Sequence, residues 1–210
     1  LRVTEIFLSI QGEAASVGWP TVFVRLTGCP LRCRWCDTAY AFHGGTWQSL
    51  ERIEGEVVRH GVRHVCITGG EPLAQPNCRV LIARLAARGY NGSIETSGAL
   101  DIAGLDPRAV VVMDIKAPGS GEQGRNRLAN LEHLRVSDQA KFVLTGRSDY
   151  DWACAFVREH DLTSRTDVLF SPVAGELEPR ELAEWILADR LPVCFQIQLH
   201  KSLWGNVAGR

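Results

Sequence analysis

Three cysteines fall within eight residues, Cys29-Pro-Leu-Arg-Cys33-Arg-Trp-Cys36, directly after an apolar run. The C-x₃-C-x₂-C spacing lets three thiolates converge on one small object. Iron–sulfur clusters are ordinarily held by four cysteines. No fourth cysteine or histidine follows at once, so three protein ligands around a cubane leave one iron open to bind and activate a small molecule. The alternative is structural zinc, which takes a closed set of four ligands, usually in C-x₂₋₄-C pairs. His43, seven residues after Cys36, is then the candidate fourth ligand.

A second group is Thr68-Gly69-Gly70-Glu71-Pro72, at the end of another apolar run. Parallel α/β proteins bind ligands at strand ends, and two glycines let a ligand approach the backbone closely. Pro72 suits a first helical turn, and Glu71 before it favours a helix N-terminus. Near the start, Gln11-Gly12-Glu13 offers an amide that both donates and accepts, and a charged acceptor. Arg25 shares a face with Phe23 by period two; its guanidinium can clamp a carboxylate bidentately or pair with Glu13 or Glu71. Asp114 and Lys116 share a face of a later strand, as a ligand-binding lysine or as a polar pair.

The elements that must position these groups alternate. Residues 3–10, 21–26, 65–68, 93–95, 110–115, 141–144, 168–170 and 193–199 read as strands. Several are continuously apolar, as strands buried on both faces should be. Leu50, Ile53, Val57 and Val58 form a helical stripe ending before Gly61. Further helices are predicted over 72–88, 150–160 and 179–188. Strands alternating with helices indicate a parallel sheet. A complete eight-fold barrel takes about 250 residues, and the link from Glu95 to Val110 is poor in helical pattern. The expected fold is therefore α/β, an open, partial (β/α) barrel of about six parallel strands. It forms a single domain over 1–210, with an N-terminal strand or hairpin over 1–20. The Gly-rich, polar stretch 119–127 reads as a mobile loop. On the last strand, Gln196, Gln198 and His200 face one way.

Composition narrows the function. A formal net charge of −1 leaves no electrostatic footprint for nucleic acid. No apolar run approaches the ~20 residues that span a bilayer, and no signal-peptide pattern is present. Leu1 implies that an initiator methionine precedes it. Seven cysteines are too few and too uneven for a disulfide scaffold. Cys66, Cys78, Cys154 and Cys194 read as small buried hydrophobes. Free thiols and an oxygen-sensitive cluster fit a reducing cytoplasm.

Together, the three-cysteine run, the Gly-Gly-Glu-Pro segment and the βα pattern resemble the radical S-adenosylmethionine superfamily. Glu5 to Glu13, Phe23 to Cys29, Cys36-Asp37-Thr38, Glu95-Thr96-Ser97-Gly98, Asp114-Ile115-Lys116 and Gln198-Leu-His200-Lys201 extend the resemblance along nearly the whole chain to the 7-carboxy-7-deazaguanine synthases. That resemblance implies a compact radical S-adenosylmethionine core and a lyase. The reaction converts 6-carboxy-5,6,7,8-tetrahydropterin to 7-carboxy-7-deazaguanine with loss of ammonia, toward queuosine and other deazapurines.

The implied site follows residue by residue. Cys29, Cys33 and Cys36 would bind a [4Fe–4S] cluster. Trp35, Cys36, Asp37, Gly69, Gly70, Glu71, Ser97, Lys116 and Ser171 would adjoin S-adenosylmethionine. Ile10, Gln11, Gly12, Glu13, Arg25, Thr68 and His200 would meet the pterin, and Thr38 would ligate Mg²⁺. A flavodoxin- or ferredoxin-like electron donor and a homodimer are further implications. Two rivals remain at this point: an activase abstracting hydrogen from a protein glycine, which the Gln11-Gly12-Glu13 block opposes, and a zinc-stabilised binding module.

Overall fold

The computed structural model describes residues 1–205, 207 and 209. Its strands are β1 (Arg2–Ile10), β2 (Pro20–Leu26), β3 (Thr46–Trp47), β4 (His64–Gly69), β5 (Asn91–Thr96), β6 (Val110–Asp114), β7 (Gln139–Leu144), β8 (Asp167–Pro172) and β9 (Cys194–Phe195). They form one sheet in the order β3-β1-β2-β4-β5-β6-β7-β8-β9. From β2 onward every pairing is parallel; β1 and β3 run antiparallel at one edge. The sheet is open, with six full parallel strands and the two-residue β9, as the apolar runs indicated.

The helices are α1 (Leu50–Arg59), α2 (Cys78–Ala87), α3 (Arg147–Glu159), α4 (Pro179–Asp189) and α5 (Leu199–Trp204). Ser49 caps α1 by accepting from the Arg52 N–H, and Ile53 and Val57 carry its buried face. No α-helix links β5 to β6. There Asn130 orders the loop instead, accepting from Ile102 N and donating to the carbonyls of Gly98 and Leu100. On β7, Ala140, Phe142 and Leu144 join the helix-side core, and Phe142 meets Phe156 and Phe170 edge-on. Burying each such side chain contributes about 1.5–3 kcal/mol.

Four sequence expectations are corrected. The helix predicted over 72–88 is a 3₁₀ turn (Pro72–Ala74) followed by α2 from Cys78, because Pro76 interrupts it. The last strand ends at Phe195 and α5 opens at Leu199, so Gln196, Gln198 and His200 do not share a strand face. The stretch 119–127 holds two 3₁₀ turns, and the Asn126 side chain bonds both backbone groups of Lys116. Cys194 is exposed, unlike buried Cys66, Cys78 and Cys154.

Candidate active site

The concave face of the sheet encloses a cavity of about 710 Å³, within the range of small-molecule sites. Two ends of the strands supply it. The cysteine loop follows Leu26 at the carboxyl end of β2. The β1–β2 hairpin turns at the other end, where Ile10 lies opposite Pro20, and delivers Gln11–Glu13 from there. Inward side chains of β2 and β4–β7 line the wall between: Phe23, Arg25, Thr68, Glu95, Val112, Asp114, Lys141 and Val143.

Cys29, Cys33 and Cys36 are free thiols on the cavity wall. Among the described residues, no three His, Cys, Asp or Glu side chains converge tightly enough to share one metal ion. His43 lies off the wall, so the zinc reading lacks its closed ligand set, whereas three thiols spread around a larger object suit a cubane. Burial pushes the Cys29 and Cys33 thiols up from their usual range. A bound cluster's own positive iron would reverse that preference. The loop is clamped from outside: Arg34 pairs bidentately with Glu176 at 2.6 and 3.1 Å, and its N–H donates to Ser120 O. The Arg32 N–H donates to Glu122 at 2.5 Å.

Gly69 and Gly70 line the cavity, but their lack of a side chain serves packing first. A Cβ on Gly69 would strike the Leu26 backbone, and one on Gly70 the Gly28 carbonyl and Cys29. Glu71 is not on the wall. Its buried carboxylate accepts from the Thr96 hydroxyl at 2.9 Å, Ser97 N at 2.7 Å, Ser97 Oγ at 2.5 Å and Leu73 N at 2.9 Å. It ties the end of β4 to the end of β5. Ser97 lines the cavity while Ser171 sits behind it, its buried Oγ without a protein partner. Its neighbours Val173 and Ala174 do reach the wall.

Lys116 pairs with Asp114 at 2.9 Å. Burial would lower the Lys116 ammonium, but Asp114 beside it holds it above the ordinary lysine range. Asp114 Oδ1 is buried on this wall with no partner in the protein, a lone acceptor matched to a donor on a bound molecule. With Trp35, the two glycines and Ser97, it provides a cradle that S-adenosylmethionine fits.

Thr38 and Asp37 follow the cysteines on the same wall. The Thr38 hydroxyl donates to Asp37 Oδ1 at 2.9 Å, and Lys201 of α5 reaches Asp37 Oδ2 at 2.7 Å. Burial would raise the Asp37 carboxyl; Lys201 holds it below its usual value. These are hard oxygen donors of the kind Mg²⁺ accepts beside its waters.

Arg25 pairs with Glu5, at 2.7 Å through Nε, and not with Glu13 or Glu71, the alternative partners the sequence offered. Tyr40 donates to the same Glu5 oxygen at 2.7 Å. Burial, against Arg25's opposing charge, pushes the Tyr40 hydroxyl up to about 12. The Glu5 contact fixes the Arg25 plane and leaves its terminal nitrogens toward the cavity, beside the Phe7 ring that stacks on Phe23 at 5.1 Å.

At the far end, Ile10, Gln11, Gly12, Glu13 and His200 all line the cavity. Gln11 Nε2 donates to Glu95 Oε1 at 3.2 Å, and Thr68 Oγ1 donates to Glu95 Oε2 at 3.1 Å. Gly12 must be glycine because a Cβ there would enter the His200 ring. Glu13 is held by Lys141, and by Gln198 Nε2 at 2.5 Å. Burial alone would raise the Glu13 carboxyl, but Lys141 and these hydrogen bonds hold it below the ordinary carboxylate range.

Sequence reasoning passed over Lys141 and Glu95 as site residues, and read Asp114 only as a polar partner of Lys116, a pairing the structure contains. The signal was present for Lys141, a lone cation in the buried run Ala140–Leu144. Such a charge is not buried without a partner.

Residues 23–112 match the radical SAM superfamily. The chain is 43% identical over 208 residues to the 7-carboxy-7-deazaguanine synthase of Chlorobaculum tepidum, covering 97% of this chain and 94% of the relative. It is 41% identical over 219 residues to that of Koribacter versatilis, covering 97% of each. Among solved structures, QueE from Escherichia coli superposes with a TM-score of 0.78 over 95% of this chain and 94% of that one, at 24% identity, a likeness of fold.

Proposed function

The chain belongs to the 7-carboxy-7-deazaguanine synthase family of radical SAM enzymes. From that premise we propose that it is a lyase converting 6-carboxy-5,6,7,8-tetrahydropterin to 7-carboxy-7-deazaguanine with release of ammonia, a step toward queuosine and other 7-deazapurines. The observation that carries this reading is a single cavity with three free thiols at one end, buried Gln11 and Glu13 at the other, and Arg25 between.

The residues divide the work by chemistry. Cys29, Cys33 and Cys36 would hold the [4Fe–4S] cluster, and Trp35, Gly69, Gly70, Ser97, Asp114 and Lys116 would hold S-adenosylmethionine. When bound, these two groups would supply one-electron radical chemistry. Thr38 would hold Mg²⁺, which would supply a divalent positive charge.

The protein's own part is to bind and orient. Arg25, its Nε taken by Glu5, offers its terminal fork to the pterin carboxylate. Gln11 and Glu13 meet the donor-rich 2-amino-4-oxo edge, and Thr68 and Glu95 fix Gln11 in place. His200 caps Gly12 and closes that end. Glu71 acts behind the wall, on Ser97 and Thr96.

An external one-electron donor of flavodoxin or ferredoxin type, a homodimer and a cytoplasmic setting complete the proposal. No helix among the described residues is long and apolar enough to cross a membrane.

The test is turnover. Anaerobically reconstituted protein is given the tetrahydropterin, S-adenosylmethionine, Mg²⁺ and a reductant, and the products are read by mass spectrometry. Appearance of 7-carboxy-7-deazaguanine is expected. Accumulation of 5′-deoxyadenosine alone would overturn the pterin assignment and keep the radical one.

A further inference from the structure

We propose that Lys141 is a positioning residue of this site: by charge it keeps Glu13 an aimed, anionic double acceptor, and so sets a preference for substrates presenting two parallel N–H donors. This rests on the pterin reading above.

The geometry separates what Lys141 does from what the rest of the turn does. The backbone around Glu13 is anchored without it. Gln196 accepts from Ala14 N at 2.6 Å and donates to Ala14 O at 3.0 Å. Gln139 accepts from Ala15 N at 3.1 Å. Leu199 N donates to Gly12 O at 3.0 Å, and Gln11 Oε1 accepts from Glu13 N at 3.3 Å. Among the described residues, the Lys141 side chain hydrogen-bonds to this turn through the Glu13 carboxylate alone, across 128 residues of chain. Its distinctive contribution is therefore the positive charge.

The carboxylate's two oxygens are divided. Gln198 donates to Oε1 and Lys141 to Oε2. Each carboxylate oxygen has two lone pairs, so each keeps one. Glu13, Lys141 and Gln198 all line the cavity, so the remaining pair of acceptor sites is what Glu13 has to offer a ligand there. A 2-amino-4-oxo pyrimidine presents its exocyclic amine and adjacent ring N–H as two parallel donors. A 2,4-dioxo ring presents a carbonyl oxygen where the amine would be, against an anion. A neutral Glu13 would donate from one oxygen and lose that discrimination.

The charged surroundings single out Lys141. It is faced by Asp114 from β6 and Glu95 from β5 as well as by Glu13, with Lys116 and Asp37 further along the wall. Glu13 is faced by Lys141 and, from α5, by His200. Without Lys141, the buried carboxyl has no directly paired cation.

The test compares 6-carboxypterin with 6-carboxylumazine, its 2,4-dioxo counterpart. Their binding to cluster-loaded protein with S-adenosylmethionine is followed by ligand fluorescence between about pH 5.5 and 7.5, where a buried unpaired carboxyl titrates. Wild type should prefer the pterin at all these pH values. Lys141→Met should bind the pterin about 10- to 100-fold more weakly at the acid end and lose most of its preference there, regaining both as pH rises. Lys141→Arg should keep the preference and the flat profile. The series is repeated in Lys141→Met/His200→Gln, so that a slope from His200 is removed and one from Glu13 stays.

If Lys141→Met fails to hold cluster and S-adenosylmethionine, the neutral pair Glu13→Gln/Lys141→Met replaces it, with weak, pH-independent pterin binding expected. A Lys141→Met protein that retains wild-type preference at the acid end, or a neutral-pair protein that retains it at any pH, overturns the inference. So does a loss without pH dependence that Lys141→Arg shares. Wild type binding neither ligand would instead overturn the pterin reading beneath it.

Discussion

Replacing Glu71 separates two roles that the sequence leaves joined. If Glu71 acted as a ligand for S-adenosylmethionine, its loss would weaken cofactor binding and spare the empty protein. The structure instead buries it at 1% exposure behind the wall, accepting from two backbone N–H groups and two hydroxyls. In Glu71→Ala the hydroxyls can turn to other acceptors, but the N–H groups of Leu73 and Ser97 cannot. Each orphaned N–H costs about 1–3 kcal/mol. With the cavity left by the side chain, the loss is about 3–5 kcal/mol, a large part of a typical total of about 5–15. Glu71→Gln keeps one acceptor oxygen and turns an amide N–H against the Ser97 N–H, for about 2 kcal/mol. With a urea dependence of about 2–3 kcal/mol per molar for a chain this size, midpoints should fall by about 1.5 M for Ala and nearly 1 M for Gln. The assay is urea unfolding of cofactor-free protein by circular dichroism. A Glu71→Ala midpoint equal to wild type, with S-adenosylmethionine binding lost, would refute the brace and restore the direct-ligand role.

Two further substitutions probe the wall itself. Thr38→Ala should retain iron and S-adenosylmethionine binding while losing the stimulation of turnover by Mg²⁺; an unchanged half-saturating Mg²⁺ concentration removes Thr38 from the ion's site. Arg25→Lys keeps the charge but not the fork, so KM for the tetrahydropterin should rise about 10- to 100-fold, equivalent to about 1.5–3 kcal/mol. Glu5→Gln, which only loosens the Nε contact, should raise KM by a smaller factor, and equal KM values in all three proteins would exclude Arg25 as the carboxylate clamp.

What was legible in the sequence was what periodicity and spacing encode. Continuous apolar runs such as Val22–Val24 and Val110–Met113 mark strands covered on both faces, and the cysteine spacing survives in the structure as three thiols on one cavity. The last segment was misread for a physical reason. Gln196-Ile-Gln198-Leu-His200 alternates like a strand, yet its glutamine side chains bond the 11–15 turn and its backbone leaves the ladder after Gln196 N. Alternation shows that two faces differ; it does not tell a neighbouring strand from a turn 182 residues away. Glu71 is a similar case. Spacing puts it beside two cavity glycines, but its hydrogen bonds to Leu73, Thr96 and Ser97 turn its carboxylate away from the cavity.

The open sheet makes this more than a local error. Its two edges are the β3–β1 pair and β9, and a closed barrel would satisfy the space between β1–β2 and β9 with ladder hydrogen bonds. Here that seam is crossed by side chains: Gln139 and Lys141 reach from β7, and Gln196, Gln198 and His200 from the C-terminal segment, all onto residues 12–15. The groups that complete the architecture are those facing the substrate's pyrimidine edge in the proposed reaction. A strand in that place would have spent its backbone on its neighbours and left no carboxylate to aim. Leaving the barrel open turns the missing strand pairing into a polar surface that can be shaped to a ligand. It also makes the recognition end depend on both the N-terminal hairpin and the C-terminal segment being in place, and Lys201 of that segment reaches Asp37 beside the cysteine loop as well.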